Sequence, residues 1–348
     1  MALAPTCYLV IPRPFPRRLS IVVTTYNEEE ALPFFRERLV AFVKTLPCRT
    51  EIIIVNDGSS DASLQFLLQW TEADARVRVL NLGRNFGHQA AATAGLDAAS
   101  GDAIVLMDAD LQDPPEVIDS MLKEYCKGYD VVYGRRSSRA GESIFKRSSA
   151  WLFYRLMRLL IQHDLPADAG DFRLISKQCL KALQSMRETH RFLRGMVAWI
   201  GFPQIAVPYF RESRVAGETK YPLRKMLALA WTAAVSFSPT PLRLSFGLGL
   251  LIAGVGLLEA VNAIVRSVLG LHLVEGWSSL IVVNCLIGGS TLVCMGVLGE
   301  YVGRIFEATK ERPLYIVASD IRGAVRVPET KDGQPLTAEL TCGVSVEE

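Results

Sequence analysis

Between residue 19 and about residue 134 the chain alternates short apolar runs with longer stretches of helical periodicity. The runs at 19–25, 51–56, 77–81, 103–107 and 130–134 are rich in Val and Ile and have the length of strands. The stretches between them contain few breakers. A strand–helix–strand series of this kind predicts an α/β fold, a doubly wound, mainly parallel sheet with helices on both faces.

From 135 to 243 the pattern is mixed and two stretches are locally basic. Residues 135–158 carry seven basic side chains against Glu142, and Phe145, Leu152, Leu156 and Leu159 recur at helical spacing beside the arginines. The spacing predicts an amphipathic helix lying on a membrane surface, a pattern shared with an ordinary helix packed on a core. Residues 211–243 carry six basic side chains against Glu212 and Glu218 and include the apolar run 226–237. Its position before the next segment favours an interfacial helix at 226–243.

Two long apolar stretches follow. Residues 244–265 contain one charge, Glu259, and residues 277–299 contain none. At 1.5 Å per residue each is long enough for a hydrocarbon layer of about 30 Å, which predicts two transmembrane helices. The competing expectation is a helical hairpin buried in a soluble core. Arg243 precedes the first stretch and Arg304, Lys310 and Arg312 follow the second, so the positive-inside rule places both ends in the cytoplasm, with Arg266 a mild exception. The connection 267–276 is too short for a domain on the far side. Glu259 and Asn284 fit a helix–helix or subunit contact better than a transport relay. The expected organisation is an extension at 1–18 without an export signal, a cytoplasmic domain at 19–225, the interfacial helix, two spans, and a cytoplasmic segment at 300–348 that is disordered after about 321.

Composition agrees with this division. The chain has 348 residues, 50% of them hydrophobic and 21% charged, and a mean hydropathy of +0.22, which is apolar for a purely soluble enzyme. With 38 basic and 36 acidic residues the net charge is +2, so no bulk field draws the molecule to nucleic acid. The seven cysteines are scattered, giving neither a disulfide framework nor a Cys-x-x-Cys metal site, and they read as reduced thiols. His88, His163, His190 and His272 lack zinc-ligand spacing.

The chemistry gathers where strands end. Thr25, Tyr26, Asn27 and Glu28 follow the first predicted strand, residues 56–61 (NDGSSD) the second, and residues 108–113 (DADLQD) the fourth. In an open parallel sheet these lie at the carboxyl edge, where doubly wound folds bind ligands. Residues 57–61 alone are equally a turn followed by a helix N-cap. Asp108 and Asp110 are two residues apart, so in an extended chain end both carboxylates point one way and approach a single hard divalent ion. With so few protein ligands the substrate would complete the site, and a departing diphosphate is the natural completion. No G-x-x-x-x-G-K-[ST] loop and no G-x-G-x-x-G turn is present, which removes the main support for kinase and dehydrogenase activities.

Residues 108–116 (DADLQDPPE), 170–174 (GDFRL) and 299–305 (GEYVGRI), with Arg312, Pro313, Leu314 and Tyr315, resemble a known family. It is the family 2 inverting glycosyltransferases of GT-A fold, and within it the bacterial polyprenyl-phosphate (bactoprenol) glycosyltransferases, relatives of dolichyl-phosphate mannose synthase with two carboxyl-terminal spans. The resemblance covers residues 19–318. It implies that Tyr26, Glu28 and Asp57 line the nucleoside pocket, that Asp108 and Asp110 bind the donor phosphates through Mg²⁺ or Mn²⁺, and that Gln112 lies at the site. It places Asp171 beside the acceptor, where its alternative is a loop carboxylate paired with Arg173. The Gln-x-x-Arg-Trp motif of processive synthases is absent, so one sugar per cycle is expected. The resemblance further implies a homo-oligomer, a tetramer in this group, in the bacterial inner membrane, with UDP-glucose as donor, undecaprenyl phosphate as acceptor and a role in cell-envelope glycan modification. Asn85, Phe86, Gly87 and His88 resemble the family's loop after the third strand, and His88 is read as a helix-start residue without chemistry.

The implied reaction moves a hexose from a nucleotide diphosphate to a polyprenyl phosphate, whose oxygen attacks the anomeric carbon opposite the leaving group and inverts it. A phosphate monoester is already anionic near neutral pH, so positioning and leaving-group stabilisation carry most of the rate. Arg135, Arg136, Arg139, Lys146, Arg211, Arg214 and Lys220 are the candidates to hold the acceptor phosphate, each equally able to meet solvent or lipid headgroups. Asp110 and Asp171 are the candidates for the reacting centre. Two other classes remain open on the sequence: a membrane-anchored nucleotidyltransferase that releases pyrophosphate, and a non-catalytic membrane scaffold or flippase component.

Overall fold

The computed structural model describes residues 10–136, 169–189, 191–210, 240–269 and 277–323. Its first half is the predicted alternation: β1 (Arg18–Thr25), α1 (Leu32–Val43), β2 (Arg49–Asn56), α2 (Ser63–Ala73), β3 (Val77–Leu82), α3 (His88–Ala98), β4 (Ala103–Asp108), α4 (Val117–Cys126) and β5 (Val131–Arg136). There follow β6 (Ala169–Ser176), α5 (Lys177–Ser185), α6 (Leu193–Ile200), β7 (Gln204–Tyr209), α7 (Thr240–Val268), α8 (Trp277–Thr309) and β8 (Val317–Arg322).

The eight strands form one sheet in the order β7-β5-β6-β4-β1-β2-β3-β8. Six strands point one way. The pairs β3/β2, β2/β1, β1/β4 and β5/β7 are parallel, while β6 runs against β4 and β5, and β8 runs against β3. Along β1 every residue after Arg18 is buried, because both faces are covered. Leu19, Ile21 and Val23 pack with Phe35 of α1, Trp70 of α2 and Met121 of α4, whereas Val22 faces Ala92 of α3, Leu180 of α5 and Met196 of α6. The period-two alternation of a strand thus assigns each helix to a face. Helix α3 lies unusually close to the sheet, since a Cβ on Gly95 would stand 2.3 Å from Val22 Cγ1.

Three strands, β6, β7 and β8, lie outside the five expected runs, and two of them correct the expected layout. The segment around Asp171, expected as a glycine-flanked loop, is strand β6, in register with β4 through Leu106 and Arg173. The segment after the last long helix returns to the sheet as β8, so the sheet takes its final strand from beyond residue 225. Arg78 grips Asp320 with two hydrogen bonds of 2.8 and 2.7 Å, and Gly83 N–H donates to Ile316 O at 2.9 Å. Just ahead of it the Tyr315 hydroxyl donates to Asp97 at 2.8 Å.

The carboxyl-terminal helices are longer than the expected spans, with 29 residues in α7 and 33 in α8. Among the described residues one stretch, Leu286–Thr309, is long and apolar enough to cross a membrane, at a mean hydropathy of 1.4. The apolar stretch of α7, Leu242–Leu258, is shorter and stops immediately before Glu259. The two helices touch where the Cys294 thiol donates to Ser245 O at 3.4 Å. Their apolar side chains are not in a core: Leu250, Leu258, Leu292 and Met295 are each more than 60% exposed. This contradicts the alternative of a hairpin buried in a soluble core. Of the basic stretch 135–158, Arg135 and Arg136 end strand β5. Its remainder, and residues 226–239 of the expected interfacial helix, lie outside the described residues.

Candidate active site

The sheet order sets the order of the polar groups along its carboxyl edge: Asp171 on β6, Asp108 ending β4, Thr24 to Tyr26 ending β1, and Asn56 with Asp57 ending β2. At the β2 end, three loops are sewn together. Asn56 Nδ2 donates to Asn81 Oδ1 at 2.8 Å, Asn27 N–H donates to Ser59 Oγ at 3.0 Å, and Ser60 N–H donates to Asn27 Oδ1 at 2.8 Å. Glu28 N–H donates to Ser63 Oγ at 3.0 Å, which sets the Glu28 loop against the start of α2. Tyr26 remains 41% exposed, an aromatic face open at the site.

Asp57 is buried, and its two carboxylate oxygens accept the N–H groups of Phe86 at 2.7 Å and Gly87 at 2.9 Å. Burial pushes its carboxyl pKa up, and those two hydrogen bonds oppose the shift. Its observed work is to order the loop after β3. Gly58 makes the close approach possible: it has φ +65°, and a Cβ there would lie 2.5 Å from the Arg84 carbonyl carbon.

Asp108 accepts a hydrogen bond from the Thr24 hydroxyl at 2.7 Å and is 38% exposed. Asp110 is buried to 6% exposure and accepts the Gln112 N–H at 3.1 Å. The chain leaves strand β4 at Asp108 and turns at 109–110; just past Asp110, Leu111 takes φ +58°, a left-handed value costly for a branched side chain. The expectation that both carboxylates sit on an extended chain end is corrected: Asp108 ends the strand and Asp110 lies in the turn after it. The motif is anchored behind: the Tyr209 hydroxyl donates to the buried Asp113, and Arg38 grips Glu116 at 2.8 and 3.0 Å.

His88 stands between the two acidic ends. Its Nδ1 lies 3.3 Å from Thr24 Oγ1 and 3.5 Å from Asp108 Oδ1, and its Nε2 lies 3.2 Å from Asp171 Oδ2. Burial lowers its pKa, but Asp108 and Asp171 reverse this and raise it to about 9, so the ring is an imidazolium at neutral pH. Asp171 is also held by Arg194, whose Nε and Nη2 donate at 2.8 and 3.0 Å. Burial works to raise the Asp171 pKa, and Arg194 and His88 overcome it, holding the carboxylate well below its usual range. Arg173, the expected partner, is 3.9 Å away. It is buried, donates to Gly170 O at 3.0 Å, and is lowered by burial to about 10.

The structure thus brings together Tyr26, Glu28, Asp57, Asp108, Asp110, Gln112 and Asp171 along one edge. Arg135 is exposed on β5 and Arg136 is the last residue of that strand. Arg139, Lys146, Arg211, Arg214 and Lys220 lie outside the described residues. Sequence reasoning missed His88 and Arg194. A signal for His88 existed, because the loop after β3 opens on the same edge as the other three clusters; nothing local marks Arg194, which reaches Asp171 across 23 positions.

The model described as "Glycosyl transferase family 2" matches residues 20–184, the span that holds β1 through β6 and every carboxylate above. An uncharacterized glycosyltransferase, YkcC, of Bacillus subtilis is 45% identical over 298 residues, covering 86% of this chain and 92% of that protein. The chain belongs to glycosyl transferase family 2. This glycosyltransferase is also similar to the SfII prophage-derived bactoprenol glucosyl transferase of Shigella flexneri, 38% identical over 306 residues, covering 88% of this chain and 99% of that one. Among solved structures it is similar to the mannosyltransferase PcManGT from Pyrobaculum calidifontis in complex with GDP-Man and Mn²⁺. That likeness has 16% identity and a TM-score of 0.42 over 84% of this chain and 90% of that one, too distant for any inference about this site.

Proposed function

We propose that this glycosyltransferase is membrane-bound and moves one hexose, glucose from UDP-glucose, onto a polyprenyl phosphate such as undecaprenyl phosphate at the cytoplasmic face, with inversion. The observation that carries the reading is the row of carboxylates on one sheet edge, with Asp108 open to solvent between a nucleoside end at Tyr26 and Asp57 and a cationic end at Asp171. The name of the Shigella relative supports the lipid acceptor. Exposed apolar side chains along α7 and α8 support insertion of both helices into lipid as two spans, since a contiguous exposed apolar surface marks a membrane or partner contact.

In this reading Asp108 and Asp110 hold Mg²⁺ or Mn²⁺. The residues fit that ion: both are hard oxygen donors, one exposed and one fixed by the Gln112 N–H. Among the described residues no cluster of three or more His, Cys, Asp or Glu side chains is built to hold a metal, so phosphate oxygens and water would complete the shell. The bound ion would stabilise the charge growing on the departing nucleoside diphosphate. The chain itself supplies placement. Tyr26 offers a face for the base, the loop ordered by Asp57 closes the nucleoside end, and Gln112 borders the donor phosphates. Thr24 and His88 orient Asp108 from below. The acceptor oxygen is already anionic, and both oxygens of the Asp171 carboxylate are engaged by Arg194, so in this reading Asp171 places groups and does not remove a proton.

The test is metal-dependent transfer. Purified full-length protein should lose turnover in excess chelator and regain it with Mn²⁺ or Mg²⁺. Asp110→Asn should lower kcat/KM by about a thousandfold, within the range for removing a group that stabilises developing charge. Full turnover by that variant, or in chelator, would overturn the metal assignment.

A further inference from the structure

We propose that Arg194 is the guanidinium that holds the acceptor's phosphate, and that Asp171 is the positioning residue that fixes it there. The assignment rests on the transfer to a polyprenyl phosphate proposed above and goes beyond it, because Arg194 lies outside both basic stretches of the sequence.

The first argument is order along the edge. With the nucleoside end at β2 and the donor phosphates at Asp108 on β4, the next group outward is the cluster on β6. An acceptor attacking opposite the leaving group approaches from that side. The second argument is occupancy. Arg194 holds both oxygens of Asp171, at 2.8 and 3.0 Å, and His88 shares the second at 3.2 Å. What a carboxylate so placed does best is to aim a planar guanidinium, and a guanidinium matches phosphate oxygens in charge and in fork geometry.

The third argument is charge and access. Two guanidinia, Arg194 at 2.8 Å and Arg173 at 3.9 Å, face the single carboxylate of Asp171, so this end of the edge is a place where a phosphate would meet positive charge. Of the two arginines, Arg173 is sealed at 6% side-chain exposure, whereas Arg194 is 36% exposed and able to meet a ligand. Its backbone is also fixed: Gln89, the neighbour of His88, accepts the Leu193 N–H at 2.8 Å and so ties the start of α6 to the start of α3. Phosphate oxygens could also come from the donor diphosphate, and kinetics separate the two.

The experiment uses the full chain in lipid nanodiscs, with polyprenyl phosphate and nucleotide sugar varied independently, and with equilibrium binding of the nucleoside diphosphate in Mn²⁺. Arg194→Gln should raise the acceptor KM about tenfold or more while leaving nucleoside diphosphate affinity unchanged, and Arg194→Lys should recover part of the loss. Asp171→Asn should raise the acceptor KM less, with a rate flat between about pH 6.5 and 8.5, as befits a positioning role. Arg194→Gln strips the buried Asp171 carboxylate of its two shortest hydrogen bonds, so the double variant with Asp171→Asn, which removes that charge, should match Arg194→Gln in acceptor KM. An unchanged acceptor KM in both, or a rise in donor KM alone, would overturn the assignment; the latter would give Arg194 to the donor diphosphate. If the wild-type enzyme leaves polyprenyl phosphate unmodified, the proposed function falls and the acceptor role with it. Wild-type transfer with unaltered Arg194→Gln kinetics sinks the Arg194 role alone.

Discussion

His88 joins the two halves of the site. One ring nitrogen faces Thr24 and Asp108, the other faces Asp171, so a single side chain sets the spacing between the proposed donor and acceptor ends. Replacing it with Gln keeps a polar group of similar reach but gives up the second nitrogen and the charge. We expect His88→Gln to lower kcat by roughly a hundredfold, the order associated with misplacement of about 1 Å in a reacting pair, with little change in nucleoside diphosphate affinity. Steady-state kinetics and a binding titration check both parts, and a wild-type kcat would return His88 to a helix-start role. A second expectation concerns Gly58. Gly58→Ala should cost about 1–3 kcal/mol in thermal or denaturant unfolding, because the new Cβ meets backbone of the neighbouring loop and the positive φ disfavours it. At this scale the sequence exposed what lies at strand ends, namely Asp57, Asp108 and Asp110. It hid which cation holds Asp171, a contact across 23 positions, and the turn after β4 in which Asp110 is buried.

At the scale of elements, the strands that were legible are those buried on both faces, where Val and Ile run almost without interruption, as in β1 and β2. Three were not legible, β6, β7 and β8, and the first and last of them lack that signal. Strand β6 begins with Ala, Gly and Asp, the vocabulary of a loop, and is defined by pairing with β4 and β5. Strand β8 is a polar edge strand with no buried position, recognisable only by its partner. It matters because it fastens the segment after α8 to the catalytic sheet. The Arg78 hydrogen bonds lower the Asp320 pKa. The pair's contribution is thus fully present above the ordinary Asp value of about 3.9, and it is lost as pH falls through the lower folded value. Asp320→Asn should speed amide hydrogen exchange in β8 and along the edge of β3 that β8 covers at neutral pH, without changing nucleoside diphosphate affinity. Unaltered exchange would show that the backbone ladder alone holds the strand.

For the whole molecule, the sheet and the apolar helices are one continuous design, because the chain leaves the sheet after β7, runs through α7 and α8, and comes back as β8. A chain cut near residue 239 would lose the strand that covers β3, so it should unfold at a lower temperature than the full chain in detergent. Composition and hydropathy announced an apolar carboxyl-terminal region, yet not that its far end returns to the sheet. The most direct test of the account is product analysis. Purified full-length protein is incubated with UDP-glucose labelled in the sugar, undecaprenyl phosphate and Mn²⁺, and the lipid and nucleotide products are identified. The account predicts one labelled glucose per lipid phosphate, with the anomeric configuration inverted, and one UDP released for each. Release of pyrophosphate from a nucleoside triphosphate, or a lipid that stays unlabelled while the protein is folded and binds UDP, would contradict it.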